Sequence, residues 1–475
     1  RIFVMKDFIY NSIVIFQIAT FVITMYYLLL SLFGLYKKED KGAESCEPQK
    51  RFALLVAAHN EEMVIGKIVE SLLEIDYPKE MYDIFVIADN CNDNTASIAR
   101  EHNVNVCERN VTDKRGKGYA LEWMFDKIFK MDKKYDAIAI FDADNLVSKN
   151  FLKEMNYKLL QGYKVVQGYI DSKNPHDSWI TESYSIAFWS ANRLFQLARA
   201  NVGLSNQIGG TGFCMDAATL KELGWGATCL TEDLEFSCKL ILNGHKVGWA
   251  HDAIIYDEKP LTLKQSWNQR KRWMQGFADV ASRFFFKLMK KAVKEKDFVA
   301  FDCALYVVQP FVVLLLAAAT ILTFAQNSTS GLNIFTINQM MSNYGLDNVW
   351  KVFCVFQFLL TPFIMVKDKK LSKSLFAILS VYSLNVFVYT RLINFLDTQD
   401  FIIILFVHIA YTVIFLLITY MMLGKHNFLM FFRYLLYGIY TLTWIPITIQ
   451  GIMDKDNKEW SHTKHVRQIG IQEVE

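Results

Sequence analysis

Charge-free apolar runs, and the long stretch without any, constrain this chain most. A bilayer-spanning helix needs about 20 consecutive apolar residues. Phe8–Tyr36 carries no Asp, Glu, Lys or Arg and contains Ile-Val-Ile-Phe and Leu-Leu-Leu. It exceeds a signal-peptide core and no small-residue cleavage site follows, so a retained span is expected. From Lys37 to Lys296 no comparable run exists, and charges are frequent. Apolar runs then return at Cys303–Ala325 and at roughly 350–366, 374–396, 401–423 and 427–453. The expected layout is an N-terminal transmembrane helix (1–36), a water-exposed domain (37–262), amphipathic interface helices (263–298), a transmembrane bundle of four or five spans (299–453) and a tail (454–475).

Lysines and arginines flanking the runs set the orientation. Lys37, Lys38, Lys41, Lys50 and Arg51 follow the first run, and Arg283, Lys287, Lys290, Lys291, Lys294 and Lys296 precede the second. The stretch 326–348 has neither residue type. The domain is therefore expected in the cytosol and 326–348 outside, in a multi-pass plasma-membrane protein. Five spans after a cytosolic domain would leave the tail outside. The run 374–396, with Asn385, Arg391 and Asn394, is the most polar and is expected to be interfacial or re-entrant, the alternative being a span whose Arg snorkels.

Composition agrees with a mixed protein. Hydrophobic residues are 52% and charged residues 21% of the 475, and the mean hydropathy is +0.16. A net charge of +3 does not suggest a nucleic-acid binder. The eight cysteines form no Cys-x-x-Cys pair, so scattered reduced thiols are expected, as in a cytosolic domain.

Within the domain, Phe52–Ala58, Tyr82–Ala88, Val104–Glu108 and Ala137–Phe141 are short apolar runs expected as strands. Met63–Ile75, Thr95–Glu101 and Tyr119–Lys130 are expected as helices between them. This alternation implies an α/β fold with a mostly parallel sheet. Ligands bind such sheets at the carboxyl ends of the strands, where the polar motifs fall. His59-Asn60-Glu61 follows the first strand and Asp89-Asn90-Cys91-Asn92-Asp93-Asn94-Thr95 the second. The latter can hold a nucleoside and equally makes an Asx-turn with a helix cap at Asn94 or Thr95.

Asp142-Ala143-Asp144 follows the fourth strand. Two carboxylates one residue apart can bind Mg²⁺ or Mn²⁺ and through it a diphosphate, and they also suit a solvated turn. Thr231-Glu232-Asp233 opens a helical pattern, so the acids suit its first turn, while Asp233 also suits a general base. Gly209-Gly210-Thr211-Gly212-Phe213 lets backbone approach a ligand. Lys114-Arg115-Gly116-Lys117-Gly118 offers cations to phosphate or to solvent. Gln269, Arg272 and Trp273 share one helix face. That face suits a diphosphate and a sugar ring, or a membrane surface. Trp460-Ser461-His462-Thr463-Lys464-His465 forms a positively charged, hydroxyl-bearing tail that can cover a nucleotide or stay inert.

The order and spacing of these motifs resemble the processive family 2 membrane glycosyltransferases, a group that includes cellulose, hyaluronan and poly-N-acetylglucosamine synthases. The resemblance is firm over about residues 50–280. It implies a cytosolic GT-A-like nucleotide-sugar-binding domain inserted between an N-terminal span and a C-terminal helical membrane bundle. It also implies UDP-sugar, a growing polysaccharide and the lipid bilayer as partners. It assigns His59, Asn60, Glu61, Asp89, Lys117, Asp142, Gln269 and Arg272 to the donor, and Asp144 with Asp142 to Mg²⁺ or Mn²⁺. Asp233, beside Glu232, becomes the base for the acceptor hydroxyl. Gly210, Thr211, Gly212, Phe213 and Trp273 fall to the acceptor, and Trp460, Thr463 and Lys464 to a gating loop. The implied reaction is inverting transfer from a UDP-hexose, UDP-glucose first, into an exported β-linked polysaccharide. The alternative is addition of one sugar to a membrane lipid. No cyclic-dinucleotide-binding Arg-x-x-x-Arg domain follows the spans, so that regulation is not expected.

Overall fold

The computed structural model describes residues 2–38, 42–226, 229–328, 334–396, 400–456 and 465–474. Contacts divide the chain into two compact units, Leu30–Pro310 with Pro446–Glu475, and Arg1–Leu29 with Phe311–Ile445.

The first unit is built on eight strands: β1 (Phe52–Ala58), β2 (Tyr82–Asp89), β3 (Asn105–Arg109), β4 (Ala137–Asp142), β5 (Leu146–Val147), β6 (Val165–Ser172), β7 (Phe213–Asp216) and β8 (Val247–Asp257). Their order in the sheet is β3-β2-β1-β4-β7-β6-β8-β5. The first four sheet positions pair in parallel, as the alternating pattern predicts. The sheet as a whole is mixed, because β7 runs antiparallel to both β4 and β6. Running that way, β7 enters the sheet at the end where β4 leaves it. Its preceding glycine loop is thereby delivered beside Asp142. β6 pairs with β8 in parallel, so the ends of β1, β2, β4, β6 and β8 all open on one edge.

Both faces of the sheet are covered, which explains the continuous apolar runs in its strands. Phe52, Leu54 and Val56 pack with Ile65, Ile68 and Leu72 of the helix Ile65–Leu73 on one face. Ala53 and Leu55 pack with Leu121, Met124 and Phe125 of the helix Lys117–Lys130 on the other.

The helix Leu263–Glu295 is held at its start by a capping box between Thr262 and Gln265. Two glycines let backbone come close along it. A Cβ on Gly276 would lie 2.3 Å from the Thr231 side chain, and one on Gly451 would lie 2.4 Å from the Met274 Cβ. Trp267 Nε1 donates to Gln450 Oε1 at 2.8 Å, and Gln275 Nε2 donates to the Asp454 carbonyl at 2.9 Å. The helix carrying Arg272 and Trp273 is thus seated on the acid loop by Gly276. Gly276→Ala is expected to destabilise the protein by about 1–3 kcal/mol through overpacking, read as a lower Tm in detergent.

Among the described residues, four helices are long and apolar enough to cross a membrane: Phe8–Leu35, Asp347–Lys367, Phe401–Met422 and Phe428–Met453. The run Cys303–Ala325, expected as one helix, is two, Phe298–Val307 and Gln309–Ser328. Pro310 has no N–H to donate and restricts Gln309 before it, so the break falls at Val308. Counted as one crossing, this pair raises the total to five. The run 374–396 also divides, at Leu384, into helices of 11 and 12 residues, each too short to cross. Among the described residues this makes three crossings after the domain, or four with the broken pair. Gly424, at φ 73° and ψ 170°, separates the runs 401–423 and 427–453.

Candidate active site

The loops after β1 and β2 interlock through their asparagines. Asn60 and Asn90 adopt left-handed backbone, with φ of 55° and 51°, which Asn tolerates better than most residues. Asn60 Oδ1 accepts from the Asn92 N–H at 2.9 Å, and His59 Nδ1 lies 2.7 Å from the Asp89 carbonyl oxygen. Glu61 N–H donates to Thr95 Oγ1 at 2.8 Å. The helix cap after β2 comes from Asp93, whose Oδ1 accepts from the Thr95 N–H and hydroxyl. Asn94 occupies the cap position without a side-chain cap bond. Asp89 is buried in an ion pair of 2.5 Å with Arg109, a residue the motif reading did not single out.

Around Asp142 the sequence motifs converge. Lys117 Nζ pairs with Asp142 Oδ1 and donates to the Gly210 carbonyl at 2.6 Å. The Asp142 N–H lies 3.0 Å from Thr211 Oγ1, whose hydroxyl donates to Asn145 Oδ1. Asp144 is buried, and its Oδ2 accepts from the Glu258 N–H at 2.8 Å. Gly210, at φ 82°, faces Asp233, since a Cβ there would lie 3.4 Å from Asp233 Oδ2. Lys117, Asp142, Gly210 and Asp233, from four separate segments, therefore surround one space.

Glu232 and Asp233 begin the helix Glu232–Leu242, where Thr231 holds the cap position without a side-chain cap bond. Burial raises the Glu232 carboxyl to about 7, with repulsion from Asp233 adding to the shift. Burial also raises Asp233. Lys117 and Arg272 oppose both shifts electrostatically, which sets Arg272 near this acid pair. Burial raises Asp233, so activity that needs its ionised form should begin to fall at a pH above the usual carboxylate range. Burial and repulsion from Asp233 raise Glu232, so Glu232 is already protonated where Asp233 titrates, and Glu232→Gln should leave the acid limb of kcat/KM close to wild type. A pH–rate profile of both forms checks this.

On the long helix, Gln269 Oε1 accepts from the Tyr184 hydroxyl, and the Trp273 ring lies 6.0 Å from Tyr184 and 6.3 Å from Phe188. The glycine loop divides its roles. Gly210 borders the space, whereas Thr211 ties down the Asp-x-Asp turn. Gly212 packs on Ile255. Phe213, assigned to the acceptor from sequence, is a core residue, 1% exposed and stacked on Trp225 at 6.3 Å. The β7 register explains this, because Phe213 pairs with Ile140 inside the sheet. Trp460, Thr463 and Lys464 lie outside the described residues.

The tail is described from His465, the last residue of its motif, onward. His465 Nδ1 sits 3.0 and 3.1 Å from the Glu61 carboxylate oxygens. The N–H groups of Val466 and Arg467 donate to Glu258 at 2.9 and 3.0 Å. Ile471 is buried with Leu146 and Tyr256. Burial would lower the His465 pKa, but Asp144, Glu61 and Glu258 outweigh it and raise it to about 10. Lys173, buried between Asp144 and Glu258, donates to the Asp144 carbonyl at 3.1 Å, and burial lowers its pKa.

The doubly covered sheet thus brings acidic strand ends, a lysine and a glycine loop together at one edge. Residues 48–276 match the family described as glycosyltransferase like family 2. This stretch is a family 2 glycosyltransferase domain.

The chain is 27% identical over 249 residues to a beta-monoglucosyldiacylglycerol synthase of Synechocystis, covering 50% of this chain and 49% of that one. It is 26% identical over 265 residues to a poly-beta-1,6-N-acetyl-D-glucosamine synthase of Staphylococcus aureus, covering 54% and 61%. The chain thus spans about half to three-fifths of the length of these relatives. Its fold is similar to that of the mannosyltransferase PcManGT from Pyrobaculum calidifontis, with a TM-score of 0.50 at 17% identity, covering 75% of this chain and 97% of that one.

Proposed function

We infer that the protein is a membrane-integrated hexosyltransferase that uses a UDP-hexose and extends a β-linked polysaccharide. The observation that carries this is the convergence of Lys117, Asp142, Gly210 and Asp233 at one sheet edge, beside Arg272. Asp89 and the His59-Asn60-Glu61 loop hold the nucleoside side. Trp273 receives the acceptor sugar, whose apolar ring face suits an indole.

The reaction is one displacement at the anomeric carbon. The acceptor oxygen bonds to that carbon as the bond to the β-phosphate oxygen breaks, and the hydroxyl proton passes to Asp233. The half-buried position of Asp233 keeps its carboxyl basic enough for this near neutral pH. Arg272 and Lys117 offset the charge that grows on the departing UDP.

A divalent cation fits the acid cluster. Among the described residues no group of three His, Cys, Asp or Glu is placed to hold a metal by itself. Mg²⁺ commonly takes one or two carboxylates, with substrate phosphates and water completing its shell. Asp144 and Asp142 would hold it, and it would supply charge neutralisation to the diphosphate. The PcManGT structure is described as a complex with GDP-Man and Mn²⁺, which supports the same ion class here.

The domain faces the cytosol in this reading, following its flanking lysines. The described tail residues 465–474 lie on that domain, so domain and tail share a side of the membrane. An even number of crossings between them satisfies this, with the pair Phe298–Val307 and Gln309–Ala325 as one crossing and 374–396 not crossing.

A second reading, transfer of one sugar to a membrane lipid, is favoured by the similarity to the beta-monoglucosyldiacylglycerol synthase. Both readings share the donor site. UDP release by the full chain in detergent, across a panel of UDP-hexoses with Mn²⁺ or Mg²⁺, tests it. Release with at least one donor, lost on chelation, is expected, and release from none would refute it.

A further inference from the structure

The segment Asp257-Glu258-Lys259, where β8 ends, reaches two neighbourhoods that the motif reading treats separately. Asp257 lies among the donor-side acids. Burial raises its carboxyl to about 6, Asp144 and Asp142 add to that shift, and Lys259 opposes it. Lys259 Nζ is 2.5 Å from Asp257 Oδ1. The same ammonium lies 3.3 Å from the Phe188 ring centroid and 5.9 Å from that of Tyr184. Lys259 is 1% exposed, so it is no solvated surface cation. Asn174 holds its backbone from both directions, with Oδ1 2.7 Å from the Lys259 N–H and Nδ2 3.0 Å from its carbonyl oxygen.

Phe188 and Tyr184 stand one turn apart on the helix Trp179–Ser190 and stack at 5.8 Å and 18°. Their other side meets the long helix, where Tyr184 donates to Gln269 and both rings approach Trp273. The helix bearing them is fixed at both ends, by the Ser178–Thr181 capping box and by Trp189 Nε1 donating to Asp171 Oδ1 at 2.6 Å. A continuous path therefore runs from Asp142 and Asp144 through Asp257 and Lys259 to Phe188 and Tyr184, and from there to Gln269 and Trp273.

We propose that Lys259, acting through Phe188 and Tyr184, is a positioning residue that sets the Gln269–Trp273 face against the donor and so decides whether the activated sugar passes to its acceptor or to water. This rests on the hexosyltransferase reading. In both outcomes the bond from the anomeric carbon to the β-phosphate oxygen breaks and UDP leaves. With the acceptor, its hydroxyl oxygen bonds to that carbon and its proton goes to Asp233. With water, the water oxygen bonds to that carbon, its proton passes to Asp233 or to solvent, and the free sugar leaves. A small displacement of a bound acceptor slows transfer steeply, whereas water needs no platform. A desolvated cation on an aromatic face stabilises that packing, and its loss also leaves Asp257 unpaired beside Asp142 and Asp144.

The test measures sugar transferred per UDP released, with the full chain in detergent, Mn²⁺ and the best UDP-hexose. Lys259→Met should lower that ratio by roughly fivefold, and Lys259→Arg, which keeps the charge and the aromatic contact, should restore most of it. Tyr184→Phe keeps the stack and removes the hydroxyl that orients Gln269, so it should lower the ratio by a smaller factor. A merely structural role for Lys259 predicts equal losses of transfer and hydrolysis and an unchanged ratio, which would overturn the proposal. Should Lys259→Met not fold, Tyr184→Phe decides, and an unchanged ratio there would overturn it. A wild-type chain that released no UDP from any donor would overturn both this proposal and the functional reading. An active wild type with the same ratio in the variants would overturn the proposal alone.

Discussion

Asp233→Asn should lower sugar transfer by roughly 10²–10⁴-fold, the range spanned by loss of a positioned general base, while leaving UDP binding close to wild type. Asp233 Oδ2 faces Gly210, whose carbonyl accepts from Lys117, and Lys117 pairs with Asp142. The carboxylate thus borders the donor's place without being a principal holder of it. Asn has nearly the same shape, so the first turn of Glu232–Leu242 and the packing of Gly276 on Thr231 are preserved. What is lost is proton acceptance. Glu232 should not replace it, because a base must reach the acceptor hydroxyl and Glu232 is one residue, about 100° of helix, away. Turnover from single-exposure kinetics and UDP titration on the same preparation separate the two effects.

Asp144→Asn is the second large effect, and it should fall on binding as well as turnover. Asp144 is buried, accepts from the Glu258 N–H and lies beside Lys173 and His465. Replacing it with a neutral amide removes a charge that holds the divalent cation and leaves Lys173 and His465 with less compensation. Turnover should drop by roughly 10²–10³-fold, and the response of UDP binding to added Mn²⁺ should be lost. The contrast between the two variants is the useful result. Asp233→Asn spares metal-dependent UDP binding, and Asp144→Asn does not. Equal behaviour of the two would contradict the division of labour proposed for them.

Much of the donor half was legible in the sequence because its signals are local. Continuous apolar runs that stop at Asp89 or Asp142 mark buried strands ending at a polar edge. The i, i+3 and i+4 spacing of Gln269, Arg272 and Trp273 sets a shared helix face. Long-range placement was not legible. Phe213 follows three glycines and a threonine, so as sequence it belongs to a binding loop. Only pairing with Ile140 shows that it starts a strand and turns into the core. The antiparallel β7 is invisible for the same reason, since four residues carry no direction. Asp257-Glu258-Lys259 looks like a charged turn before Pro260, yet Lys259 is buried on Phe188 and Glu258 receives the tail. His465 gains its raised pKa from Asp144, Glu61 and Glu258, all far earlier in the chain. Four of the membrane runs were legible as spanning helices, but 303–325 and 374–396 were not legible as broken ones, because the breaks at Val308 and Leu384 do not change their apolar character.

The most direct test of the account is the mass of the product that the full-length protein makes after reconstitution into lipid vesicles with its preferred UDP-hexose and Mn²⁺. Polymerisation predicts a ladder of products separated by one hexose unit, lengthening with time and missing when Asp233→Asn replaces the wild type. A single hexose on lipid, with no longer species at any time, would contradict polymerisation and establish the lipid reading instead.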